Sequence, residues 1–81
     1  MNKNEILKQI ELILQDEFED DEIEVTETTS ASDIDEWDSL AHLSIVHEVE
    51  TTFNIRFTIG EIQEFKNVGE MADAIIKHMN E

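Results

Sequence analysis

Three times in this chain a side chain able to cap a helix is followed three residues later by glutamate: Asn2 and Glu5, Thr58 and Glu61, Asn67 and Glu70. At that spacing the first side chain accepts from a backbone N–H inside the helix, while the glutamate reaches back to the capping residue's own N–H. Each pair marks a helix start. With no proline, and only Gly60 and Gly69 as glycines, the chain has few residues that would break a helix once begun, so the expected class is all-α.

Apolar spacing fills in the elements. From Asn4 to about Phe18, Ile6, Ile10, Ile13 and Leu14 recur at helical spacing, with Lys3, Lys8, Glu11 and Gln15 elsewhere. Residues 19–37 lose that period and are rich in Asp, Glu, Ser and Thr, which predicts a long connection. A connection of that length needs pinning or a function. Ile23, Val25, Ala31, Ile34 and Trp37 are its apolar points, and Ile23 and Val25 are spaced to face the same way. The period returns from Ser39 to Phe53, where Ile45, Val46, Val49 and Phe53 fall on one arc at about 100° per residue.

Thr58 to about Phe65 reads as a short third helix with Ile59, Ile62 and Phe65, dependent on packing. Asn67 to Met79 is the last, with Val68, Met71, Ala72, Ile75 and Met79 on its buried side and Gly69 tolerable near its start. No internal repeat or boundary interrupts the chain, so residues 1–81 are expected to be one domain.

A chain of 81 residues can bury one core but not a walled catalytic cleft as well, so an enzyme is disfavoured. Its net charge of −16 would be repelled by phosphate backbones and anionic lipid, which argues against nucleic acid and membrane as partners and for proteins with a basic patch. Without cysteine, neither a disulfide nor a thiolate zinc site is available. The start lacks a basic region followed by an apolar one, and no apolar run is long enough to span a bilayer; a cytoplasmic protein is expected.

The stretch Trp37-Asp38-Ser39-Leu40 opens the second helix differently from the other three. Asp38 has Ala41, not glutamate, three residues on, and must cap alone through its carboxylate. Ser39 then takes the first helical position with a hydroxyl not needed for capping. Such a helix start suits a phosphate bonded to that serine, although Asp-Ser at a helix start often means only a cap. Leu40 and Leu43 share a stripe with Ser39, His47 and Glu50, beside the core arc. They are either the edge of a wide core face, which periodicity favours, or a partner-contact surface.

Other chemistry is poorly supported. Asp38, Ser39 and His42 lie on neighbouring turns of one helix with no Gly-x-Ser-x-Gly elbow, unlike a hydrolase triad. Asp16 to Glu24 lacks the spacing and glycine of a calcium loop, and His42 and His47 project to different sides of the helix, so no metal site is expected.

Asp38-Ser39-Leu40 opening a helix, then Ile45, Val46, Glu48, Glu50 and Phe53, a short helix after Phe57, and Val68 beginning the last one, resemble acyl carrier proteins and their peptidyl-carrier relatives. The resemblance covers nearly the whole chain, including the acidic loop. It implies a four-helix bundle with a long loop between helices 1 and 2 and a short third helix. It also implies that Ser39 receives 4′-phosphopantetheine from coenzyme A, and that the arm's thiol carries an acyl or aminoacyl group as a thioester.

Such a carrier is a monomeric shuttle with no catalytic residues of its own. A phosphopantetheinyl transferase modifies it, a ligase loads it with acyl or aminoacyl cargo, and a downstream synthase or transferase with a basic docking patch unloads it. Asp38 matches the aspartate that helps orient the transferase's magnesium, and Leu40 follows the attachment point. The stripe of Leu43, His47 and Glu50 takes on the reading of a docking surface ringed by acidic groups. The alternative is an acidic helical adaptor that keeps the carrier fold without being modified.

Where fatty-acid carriers commonly read Gly-x-Asp-Ser-Leu, this chain has Glu36-Trp37 before Asp38, which resembles divergent stand-alone carriers. Trp37 is expected to anchor the loop on the core, with covering of the prosthetic arm as the other reading. His42, on the core-facing side close to Ser39, reads as a hydrogen-bonded histidine, or more sharply as one bordering a cargo entrance and making it polar.

Overall fold

The computed structural model describes residues 2–80. They form α1 (Lys3–Phe18), a 3-10 turn (Ala31–Asp33), α2 (Ser39–Phe53), α3 (Ile59–Glu64) and α4 (Val68–Met79), with no strand among the described residues. The fold is the all-α arrangement expected, long first connection and short third helix included.

The capping pairs act as their spacing predicts. Asn2 Oδ1 accepts from Glu5 N–H at 2.9 Å, and Glu5 Oε1 from Asn2 N–H at 3.0 Å. Thr58 and Glu61 exchange the same two bonds, at 3.2 and 2.8 Å. The third pair is half a box. Asn67 Oδ1 accepts from Glu70 N–H at 2.9 Å, but Glu70 reaches past Asn67 to take the N–H of Lys66 at 3.0 Å. At their far ends α1 and α2 close through left-handed residues, Glu19 with φ 52° and Asn54 with φ 55°, which satisfies their last carbonyls.

Helix α1 packs against both α2 and α4. Ile6, Ile10 and Leu14 meet Ile45, Val46 and Val49 from α2 and Val68, Met71, Ala72 and Ile75 from α4, with Trp37 and Phe57 added from the connections. Ile13 and Phe53 pack only at the margin of this core. Met79, expected on the buried side of α4, is instead 42% exposed. It is the last helical residue, beyond Ile75, where the packed face ends.

The long connection is held to the helices by named bonds. The Gln15 side chain donates to the Ile23 carbonyl at 2.9 Å, and Glu11 Oε2 accepts from Val25 N–H at 3.0 Å. Farther along, the carbonyls of Thr29 and Glu27 accept from Val68 N–H at 2.7 Å and Gly69 N–H at 2.9 Å. Those are the first two amides of α4, which no helical carbonyl can satisfy. The contact also corrects the reading of Gly69 as merely tolerable: a Cβ there would lie 2.6 Å from the Glu27 carbonyl oxygen. The loop seats on α4 only because this position has no side chain.

Candidate functional site

The site is built at the start of α2. Asp38 is extended, its Oδ1 accepts from Ala41 N–H at 2.8 Å, and its carbonyl accepts from His42 N–H at 2.9 Å. The lone-aspartate cap is therefore real. It leaves the N–H groups of Ser39 and Leu40 without a partner among the described residues.

Ser39 is exposed, and its hydroxyl makes no hydrogen bond among the described residues. The chain's other serines are engaged. Ser30 Oγ lies 2.8 Å from Ser32 Oγ, and Ser44 Oγ donates to Glu17 Oε1 at 2.8 Å. A free hydroxyl beside two open amides at the positive end of a fifteen-residue helix has the chemistry to accept a phosphodiester.

Behind Ser39, Trp37 and His42 form one unit. The indole is nearly buried at 9% exposure, lies between the Phe18 ring at 6.3 Å and the His42 ring at 6.0 Å, and donates from Nε1 to His42 Nδ1 at 3.1 Å. An indole N–H can only donate, so Nδ1 accepts and the ring's proton sits on Nε2. That nitrogen lies 3.0 Å from the Ile62 carbonyl oxygen of α3 and donates to it. Trp37 is thus the loop anchor expected, and His42 the hydrogen-bonded histidine, tying α2 to α3. The sequence carried no sign that one imidazole joins the tryptophan to a carbonyl twenty residues on.

An open groove runs beside this unit, lined by Trp37, Ser39, His42 and Leu43 on one side and Ile62 and Gln63 on the other. Gln63 escaped the sequence reading because it lies between apolar positions in so short a helix. Packing holds that wall in place: Phe57 and Phe65 flank α3 edge to face at 5.1 Å, and His78 Nε2 reaches Glu61 Oε1 at 2.8 Å. The Thr58 N–H, with lesser help from His78, holds the Glu61 carboxyl below the usual glutamate range, against burial pushing it up.

The stripe on α2 resolves in favour of exposure. Leu40 is 78% and Leu43 57% exposed, so neither is the edge of the core, and His47 is exposed with them. Glu50 is half-buried, and its Oε2 accepts from Phe57 N–H at 2.8 Å, so it braces the turn after α2 as well as edging the stripe. No cluster of potential metal ligands occurs among the described residues.

Comparison with known proteins bears on this geometry. The family model for the phosphopantetheine attachment site matches residues 8–75, and the acyl carrier protein of Rubrobacter xylanophilus is 32% identical over 78 residues, 96% of each chain. The chain belongs to the acyl carrier protein family. The solution structure of a holo acyl carrier protein from Geobacter metallireducens superposes with a TM-score of 0.85 at 42% identity, over 91% of this chain and 85% of that one. The carrier role comes with membership, as does 4′-phosphopantetheine as the prosthetic group, and neither favours the unmodified adaptor. Carriers of this family work with a phosphopantetheinyl transferase and with synthases. No helix among the described residues is long and apolar enough to cross a membrane. The residues present fit the group: the free Ser39 hydroxyl, the open amides of Ser39 and Leu40, and the groove beside them.

Proposed function

We propose that Ser39 is the residue that carries 4′-phosphopantetheine, and that residues 1–81 act as one monomeric carrier domain serving partner enzymes without catalysing a reaction itself. The observation that carries this is the free hydroxyl of Ser39 at a helix start, where every other serine is already bonded. In the transfer, Ser39 Oγ bonds to the phosphorus that bears pantetheine, the nucleotide half of coenzyme A leaves, and the hydroxyl proton passes to a base of the transferase. The open amides of Ser39 and Leu40 would hold the phosphodiester once it is attached. Once attached, the arm supplies a thiol on which acyl or aminoacyl cargo is held as a thioester.

Asp38 uses Oδ1 for the cap, leaving Oδ2 to help orient a magnesium ion held by the transferase. Both nitrogens of His42 are committed to Trp37 and Ile62, which supports a role bordering the cargo entrance and speaks against His42 acting as a base for Ser39. Leu40, Leu43 and His47, with Glu50 at their edge, form the docking surface for the transferase, the loading ligase and a downstream synthase with a basic patch. Apolar contact there supplies affinity, and the surrounding acid steers the partner.

Incubation with coenzyme A, magnesium and a broad-specificity transferase tests the reading. Intact mass should show one phosphopantetheine adduct on the wild type and none on Ser39→Ala. With Leu40→Ala and Leu43→Ala combined, the adduct should form more slowly at an unchanged melting temperature, since both side chains are exposed. An adduct that persists in Ser39→Ala contradicts the assignment, and an unslowed double variant contradicts the docking surface.

A further inference from the structure

The acid around the exposed stripe of α2 is not spread evenly along it. Asp35, Glu36 and Asp38 stand exposed immediately before the helix, at the Ser39 end. Within α2 the carboxylates are Glu48 and Glu50 alone. Glu48 follows His47 and so projects about 100° round the helix from it, off the stripe. Glu50 lies at the stripe's edge, where its Oε2 accepts from Phe57 N–H at 2.8 Å. From Leu40 through Leu43 to His47 the stripe therefore presents no carboxylate of its own helix.

Its far end carries the opposite sign. The Glu50 carboxylate grips the peptide that joins Arg56 to Phe57, and the Glu50 carbonyl accepts from Ile55 N–H at 3.0 Å. These two bonds hold the Arg56 backbone at the end of the stripe. Arg56 is exposed, is the first lysine or arginine after Lys8, and makes no hydrogen bond or ion pair among the described residues. Residues 54–67 hold Arg56 and Lys66 against Glu61 and Glu64, so this segment is neutral in a chain of net charge −16. The field of Arg56 is thus not cancelled by its own surroundings.

At 1.5 Å of rise per residue, the start and end of α2 are about 20 Å apart. Salt at physiological strength screens charge over about 8 Å. A partner lying along the helix therefore meets two separate fields. A uniformly basic face is drawn to one end and repelled at the other, whereas a face that changes sign along its length is matched at both.

We infer that the docking surface is bipolar: it fits a protein face with a basic group toward Ser39, apolar side chains over Leu40 and Leu43, and a carboxylate opposite Arg56, which fixes the direction in which the partner lies. The inference rests on the proposed docking role of Leu40 and Leu43. Arg56 also complements the negative end of the α2 dipole, so the test reads orientation and not stability.

The probes are two stapled helical peptides matched to the fifteen residues of α2, each with leucines along one face. One carries lysines at its N-terminal end and glutamates at its C-terminal end, the other the reverse, and both bear a nitroxide at the glutamate end. In NMR spectra of the whole protein, Leu40 and Leu43 should shift with either peptide, and the nitroxide should broaden the amides of His47 and Arg56 while sparing Ser39. If neither leucine shifts, the docking reading fails and this inference with it. Shifts at both leucines with equal broadening at Ser39 and Arg56 overturn the bipolar surface alone. Arg56→Glu should erase the preferred orientation and weaken both peptides about two- to fivefold, the scale of an exposed ion pair, whereas Arg56→Lys should keep both orientation and affinity. A folded Arg56→Glu variant that still orients the peptides as the wild type does overturns the assignment to Arg56.

Discussion

The two glycines carry opposite consequences at the scale of single residues. Gly69 sits where a Cβ would meet the Glu27 carbonyl at 2.6 Å, whereas a Cβ on Gly60 has only Thr58 Oγ1 near it, at 3.9 Å. Gly69→Ala should therefore cost about 1–3 kcal/mol, the usual penalty for forcing atoms into a packed site. Gly60→Ala should leave stability unchanged or raise it by up to about 1 kcal/mol, the ordinary helix preference of alanine over glycine. Urea unfolding of the two variants checks both signs. The sequence could not separate these positions, since what distinguishes them is a loop carbonyl far away in the chain. Asp38 is the opposite case: its cap reaches Ala41, three residues on, and was legible because it is local.

Among the elements, α3 and the long connection depend most on single carboxylates. Glu61 closes the cap of α3, and Glu11 holds the connection through Val25 N–H. The Glu11 carboxyl, like that of Glu61, is kept below the usual glutamate range, chiefly by the hydrogen bond from Lys8 and then by that from Val25. A folded-state pKa below the unfolded value of about 4.3 adds stability above that pH. That stability is lost as pH falls through the lowered folded values. Glu11→Gln and Glu61→Gln should each cost on the order of 1 kcal/mol at neutral pH. Each should also flatten the fall in urea midpoint on acidification below the usual glutamate range; a fall as steep as the wild type's would show that these bonds do not carry it. The helices were legible from periodicity and caps. The path of residues 19–37 was not, because carboxylates and carbonyls of distant elements fix it.

Across the whole molecule, charge is uneven. No lysine or arginine occurs from residue 9 to 55, so the start of α2 and the long connection lie in an unrelieved acidic stretch. Lys3 is drawn to Glu27 and Asp73, and Lys8 to Glu11, which leaves little cation to offset the rest. Added salt should screen this repulsion and raise the melting temperature, by about 4–8 °C for each kcal/mol recovered in a chain of this size. An unchanged or lowered midpoint would mean the acidic surface is already compensated. If Leu40 and Leu43 dock a basic partner as proposed, the same field would steer it toward that apolar patch beside Ser39.

All three scales meet at the Ser39 hydroxyl: a cap that does not use it, a helix start that favours phosphate, and a surface proposed to dock the enzymes that act there. Peptide mapping by tandem mass spectrometry of the protein isolated from its own cells is the most direct measurement. The expected result is phosphopantetheine on the peptide at Ser39, with Ser30, Ser32 and Ser44 unmodified. Finding the group on any other residue, or a wholly unmodified chain, would contradict the assignment.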